Sequence, residues 1–127
     1  MINLSTMIAA IIILLLSFIN EGCAAGSCSL DTINIGTQRS GREIGGQPEW
    51  NVQMINNCDC PQKQIILSCQ GFQTIEPVDP SILSKQRDNC LLINGGIVQP
   101  GSSVSFSYAW DPPVIMLPRF SVSLCPT

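Results

Sequence analysis

Apolar and polar residues alternate in short runs along most of this chain. The clearest run covers residues 103–110 (SVSFSYAW), where Val104, Phe106, Tyr108 and Trp110 fall on one side and Ser103, Ser105, Ser107 and Ala109 on the other. A two-residue period is the mark of a half-buried strand. Pro100-Gly101 opens the run and Asp111-Pro112-Pro113 closes it. The same period sets Ile33 and Ile35 together in 30–36, Trp50, Val52 and Met54 in 50–56, and Ile65, Leu67 and Cys69 in 64–69. Residues 72–76 are expected to continue that last direction after a break at Gly71. Residues 90–93 form a short apolar strand ended by the turn signal Asn94-Gly95-Gly96, and 120–124 a final strand with Ser121 and Ser123 outward. The polar, glycine-rich stretch 39–48 reads as a loop, and 78–84 as a short helical turn. Short strands at this spacing, with no amphipathic helix among them, predict an all-β fold: a small antiparallel β-sandwich.

Residues 7–19 (MIAAIIILLLSFI) break the pattern as one apolar block. It falls short of the about 20 residues that cross a bilayer and matches the roughly 7–15-residue core of a secretory signal peptide. Small residues follow at Gly22, Ala24, Ala25 and Gly26. The expected organisation is therefore a cleaved signal peptide over 1–25 and a single secreted domain over 26–127, with no membrane span in the mature form. The sequon Asn3-Leu4-Ser5 falls inside the leader.

Cleavage changes the cysteine count. Seven are encoded and Cys23 is removed, which leaves Cys28, Cys58, Cys60, Cys69, Cys90 and Cys125. An even set in a short secreted chain implies a disulfide framework, whose pairing the sequence leaves open. Cys58 and Cys60 are separated only by Asp59 and are expected to bond to different distant partners. Read as thiolates, Cys58, Cys60, Cys69 and Cys90 would be a metal site; behind a signal peptide, disulfides are the expectation. The encoded chain carries 6 basic and 9 acidic residues. This balance offers no basic footprint for nucleic acid.

Histidine is absent, which excludes Ser-His-Asp and Cys-His catalysis and histidine zinc sites. Gly95-Gly96 lacks the frame of a phosphate loop. Glu49, Glu76 and Asp79 read as solvated loop acids rather than a catalytic carboxylate pair. Phe106, Tyr108 and Trp110 read as core, and Trp50 as the aromatic nearest the surface. No enzymatic activity, no cofactor and no metal are expected.

Several short motifs occur in order: Pro48-Glu49-Trp50-Asn51-Val52, Asn56-Asn57-Cys58-Asp59-Cys60, Leu67-Ser68-Cys69-Gln70-Gly71-Phe72, Glu76-Pro77-Val78-Asp79-Pro80, Asp88-Asn89-Cys90-Leu91 and Phe106-Ser107-Tyr108-Ala109-Trp110. Together they resemble the plant Tapetum Determinant 1-like family of secreted cysteine-rich proteins, from Cys28 to about Trp110. The resemblance implies an apoplastic protein whose partner is the ectodomain of a leucine-rich-repeat receptor kinase, in cell-fate or reproductive signalling, since the founding member is such a ligand. It also marks the six cysteines as disulfide partners. On this reading the stretches 39–48 and 78–88 form the contact surface, with Arg42, Lys85 and Arg87 meeting acids on the partner. The alternative is a cell-wall polysaccharide-binding module with Trp50 exposed as a stacking platform. The oligomeric state is left open.

Overall fold

The computed structural model describes residues 27–126. The expected signal peptide, with Cys23, lies outside the described residues. Seven strands carry the fold: β1 (Ile33–Ile44), β2 (Gln47–Asn56), β3 (Gln62–Ser68), β4 (Leu83–Gln86), β5 (Asn89–Leu92), β6 (Ser103–Ala109) and β7 (Leu117–Ser123). Two single-turn 3-10 segments, Leu30–Thr32 and Ile93–Gly95, are the only other regular elements among the described residues. The strands make a three-stranded sheet in the order β1-β2-β6 and a four-stranded sheet in the order β4-β5-β3-β7, antiparallel throughout. The expected all-β sandwich is what the chain forms.

The alternating residues explain the packing. Val52 and Met54 of β2, Val104 and Tyr108 of β6, Ile65 and Leu67 of β3, Leu83 of β4 and Leu92 of β5 turn inward to one core. Full burial of such side chains is worth about 1.5–3 kcal/mol each. Tyr108 is fully buried, while Phe106 and Trp110 are half-buried against the same core. Phe72 meets Tyr108 edge to face, with ring centroids 5.2 Å apart, and the Tyr108 hydroxyl accepts from the Val114 amide at 2.8 Å.

Four expectations need correction. Residues 39–48 are a β-hairpin, not a loop. The glycines that suggested a loop serve the hairpin: Gly45 and Gly46 both have positive φ, which the tight two-residue connection between twisted strands requires. Gly41 (φ +96) lies in a bulge where the β1–β2 register shifts between Arg39↔Trp50 and Glu43↔Pro48. Second, residues 72–76 do not extend a strand but strap the far edge of β6. Ala109 N–H donates to Thr74 Oγ1 at 2.9 Å and Ile75 N–H to the Ala109 carbonyl at 3.1 Å. The strap buries Ala109, a residue the alternation had placed outward. Third, β7 has the opposite facing. Ser121 turns in and donates to Gln62 Oε1 at 2.7 Å, so Phe120 turns out and is 49 % exposed. Fourth, the turn expected over 78–84 is a single one at its start, closed by Ile82 and Leu83 amides on the Asp79 carbonyl, and Leu83 already begins β4.

Candidate functional site

All six cysteines of the described residues are disulfide-bonded. Cys28 pairs with Cys58 and Cys69 with Cys90, while Cys60 and Cys125 are also in disulfides. Cys58 and Cys60 are therefore not bonded to each other, and the sulfurs needed for a four-thiolate site are consumed. The Cys69–Cys90 bridge is fully buried in the core and ties β5 to the end of β3.

The Cys58-Asp59-Cys60 turn rests on two buried amides. Asn56 donates to the carbonyls of Cys60 (3.0 Å) and Val98 (2.9 Å), and its Oδ1 accepts from the Cys58 amide (3.0 Å) and from Gln62 Nε2 (2.9 Å). All four bonding positions of the Asn56 side chain are used. Gln62 also reaches Thr32 Oγ1 and accepts from Ser121. Asn56 stood in a motif in the sequence, but Gln62 carried no signal there, since nothing local marks a glutamine as buried.

A second polar cluster forms where the β1 bulge arches over β2. Two extra residues on β1 bring Ser40 and Arg42 onto Glu49. Ser40 Oγ donates to Glu49 Oε1 at 2.7 Å, and Arg42 binds both carboxylate oxygens, Nε to Oε1 at 2.9 Å and Nη2 to Oε2 at 3.3 Å. Glu49 is 5 % exposed. The strap delivers Glu76 to the same place, where Ser107 Oγ of β6 donates to its Oε2 at 2.9 Å and its Oε1 is enclosed with no donor in reach. The bonds from Arg42 and Ser40, with one from Glu76, hold the Glu49 carboxyl down at about 2. Burial, then the bond to Glu49, push Glu76 up from the usual carboxylate range. The two shifts run in opposite directions, so of the two carboxyls Glu76 is the one that holds a proton more readily. Glu49 and Glu76 are therefore not the solvated loop acids the sequence suggested. Asp79 is separate from them: it caps its own turn by accepting from the Ser81 amide and hydroxyl. A glycosidase pair needs open space for the scissile bond between its carboxyls, whereas Glu49 is 5 % exposed and its oxygens are held by Ser40 and Arg42. The arrangement can hold a proton and fasten the strap to the sheet.

The remaining candidate residues are spread out. Arg42 is 66 % exposed but committed to Glu49. Trp50 is half-buried at the same end: its Nε1 donates to the Trp110 carbonyl at 2.8 Å, and Arg39 covers its ring at 5.3 Å. Trp50 therefore offers no open stacking face. Lys85 lies on the edge strand β4, and Arg87 (φ +61) at the tip of the β4–β5 hairpin; both are exposed. The structure does not bring Arg42 and Trp50 together with Lys85 and Arg87. An open groove of about 730 Å³ lies along the three-stranded sheet, lined by Gln38, Asn51, Gln53, Ser105 and Ser107 among others. It was not expected, because an outward polar face looks the same in sequence with or without a concavity.

Two sheets around one small core, stapled by disulfides of which Cys69–Cys90 is fully buried, define a cysteine-rich β-sandwich protein. The chain belongs to the Tapetum determinant 1 family: the family model described as "Tapetum determinant 1, C-terminal" matches residues 29–125. It is 33 % identical over 85 residues to TPD1 protein homolog 1 of Arabidopsis thaliana, covering 65 % of this chain and 48 % of the relative. It is likewise 33 % identical over 85 residues to TPD1 protein homolog 1B of Oryza sativa subsp. japonica, covering 65 % and 50 %. The chain spans about half the length of the curated relatives it matches. No solved structure matches it. No helix among the described residues is long and apolar enough to cross a membrane.

Proposed function

We propose that this protein is secreted and acts as an extracellular ligand for a leucine-rich-repeat receptor kinase in cell-fate or reproductive signalling, without enzymatic activity of its own. Membership of the Tapetum determinant 1 family is the observation that carries this reading. The disulfide framework supports it, since such bridges persist in oxidising compartments. A stapled scaffold also loses little freedom on binding, which favours recognition by a preformed surface. The stacking platform of the polysaccharide alternative is occupied by Arg39 over Trp50.

The test is direct binding of the oxidised protein to a panel of plant leucine-rich-repeat ectodomains, with soluble wall polysaccharides in the same assay. Saturable binding to one ectodomain, lost on reduction, is the expected result. Binding to a glycan and to no ectodomain would overturn the reading.

A further inference from the structure

The two outer faces of the sandwich carry opposite chemistry. On the three-stranded sheet the outward rows Gly36–Gln53–Ser105 and Gln38–Asn51–Ser107 carry no apolar side chain, and Ile55 is the single one in the next row, Asn34–Ile55–Ser103. On the four-stranded sheet the register sets Leu91, Ile66 and Phe120 side by side across β5, β3 and β7. Leu117 stands opposite Ser68 and Val122 opposite Lys63 on the same side. Leu117 is 59 % exposed, and Ile115, just ahead of β7, 81 %. An antiparallel sheet with one face on the core ordinarily turns polar residues to water. A contiguous apolar face marks an interaction site.

Charge is distributed with the same asymmetry. Four of the 6 cationic residues belong to the four-stranded sheet or its β4–β5 turn: Lys63 and Arg119 flank the apolar row, Arg87 sits in the turn beside Asp88, the one acid there, and Lys85, opposite Cys90, lies on the core side of the edge strand. None of the four makes an ion pair among the described residues; the pair that does form is Arg42–Glu49, on the other sheet. Arg39, the sixth cation, lies over Trp50.

We infer that the outer face of the four-stranded sheet, centred on Ile66, Phe120 and Leu117, docks a protein partner that presents an apolar patch among carboxylates. Unpaired cations around an apolar row call for that complement. A second copy of this chain would bring like charges together. Exposed Leu117 and Phe120 would also enter a lipid surface, and the vesicle arm of the test separates that occupant from a protein. The inference deepens the receptor reading by naming its contact surface, and rests on that reading only for the identity of the partner.

Two variants test it in the full oxidised chain: L117S/F120S removes the apolar row and K63E/R119E reverses the charge beside it. Gln53→Ala, on the opposite face, is the control. The first probe is 1-anilinonaphthalene-8-sulfonate, itself an apolar anion. Native protein is expected to bind it saturably, with affinity reduced about tenfold in each variant and unchanged in the control. No dye binding by native protein, or equal binding by all variants, overturns the surface. The second probe is the ectodomain panel. Loss of binding in both variants supports the surface, and binding that survives both overturns it while leaving the receptor reading intact. If no ectodomain binds but the dye site behaves as expected, the receptor reading fails and the surface stands. Phe120-dependent binding to phosphatidylserine–phosphatidylcholine vesicles, or a concentration-dependent dimer lost in L117S/F120S, overturns the protein partner in favour of a membrane or a second copy.

Discussion

At the scale of single residues, Glu49 and Glu76 decide how the molecule responds to pH. Glu49 is held at about 2, below its ordinary 4.5, by Arg42 and Ser40. A depressed carboxyl contributes stability that is present above its unfolded value and lost as pH falls toward the folded one. Glu76 is shifted upward by burial and by Glu49, so its contribution is full below 4.5 and lost as pH rises through its raised value. The pair is strongest between the two, in mildly acidic medium. Glu76→Gln is neutral at every pH and can still donate to Glu49. Melting temperature against pH should therefore fall on the alkaline side in the native protein and flatten there in the variant; parallel curves would refute the upward shift of Glu76. Arg42→Ala should flatten the acid limb, because Glu49 loses the partner that does most to lower it. Asn56 is the other decisive side chain. Truncation to Ala leaves the buried Cys58 amide without its acceptor, at about 1–3 kcal/mol, and removes one donor each from the Cys60 and Val98 carbonyls and the acceptor of Gln62 Nε2, while Val98 keeps the Gln62 amide. Denaturant unfolding should show a loss of about 3 kcal/mol or more. A loss under 1 kcal/mol would mean that water enters the site.

At the scale of elements, the strap over residues 72–76 and the bulge in β1 act as one device, since the strap supplies Glu76 and the bulge supplies the Ser40 and Arg42 that hold Glu49 of β2. Thr74 fixes the strap: its hydroxyl accepts from the Ala109 and Glu76 amides and donates to the Glu76 carbonyl. Thr74→Val keeps the shape and removes these bonds. The Ala109 amide should then exchange with solvent at least about tenfold faster, as expected for a local opening made easier by 1–2 kcal/mol; unchanged exchange would show that Ile75 alone holds the strap. These elements were also the hardest to read from the sequence. Strands such as β2 and β6 were legible because one face meets the core and the other meets water, so Val52, Met54, Val104 and Tyr108 alternate with polar neighbours. The strap buries Ala109 and Glu49 from the outside, where alternation promises water. In 39–48, Gly41, Gly45 and Gly46 mimic a loop because a bulge and a tight hairpin need the same residue as an irregular chain. On β7, serines facing a buried glutamine look identical to serines facing solvent. The carboxyl pair stayed hidden for a related reason. Glu49 and Glu76 are 27 positions apart, and only the register of β1, β2 and β6 makes them neighbours.

At the scale of the whole molecule, the disulfides and the core support each other unequally, and that gives an order of failure. The domain is small, and a chain of this size buries too little surface for a wide margin. Closing loops of 21 and 30 residues, as Cys69–Cys90 and Cys28–Cys58 do, adds about 3 kcal/mol per bridge, against a total of about 5–15 kcal/mol. The two bridges differ in access. Both sulfurs of Cys69–Cys90 belong to fully buried residues, whereas Cys28 is partly exposed at the start of the described chain. A reductant must reach a sulfur in line, so burial protects the first bridge until the fold opens. Limited reduction, trapped by alkylation and read by peptide mass spectrometry, should therefore open Cys28–Cys58 while Cys69–Cys90 stays closed. At that stage the near-ultraviolet signal of Tyr108 in the core should persist. Opening of Cys69–Cys90 should coincide with its loss, because that bridge is inaccessible without global unfolding. Simultaneous opening of both bridges would mean that the Asn56–Gln62 network and Cys28–Cys58 are needed for the core itself, and that the molecule has one cooperative unit where burial predicts two stages of resistance.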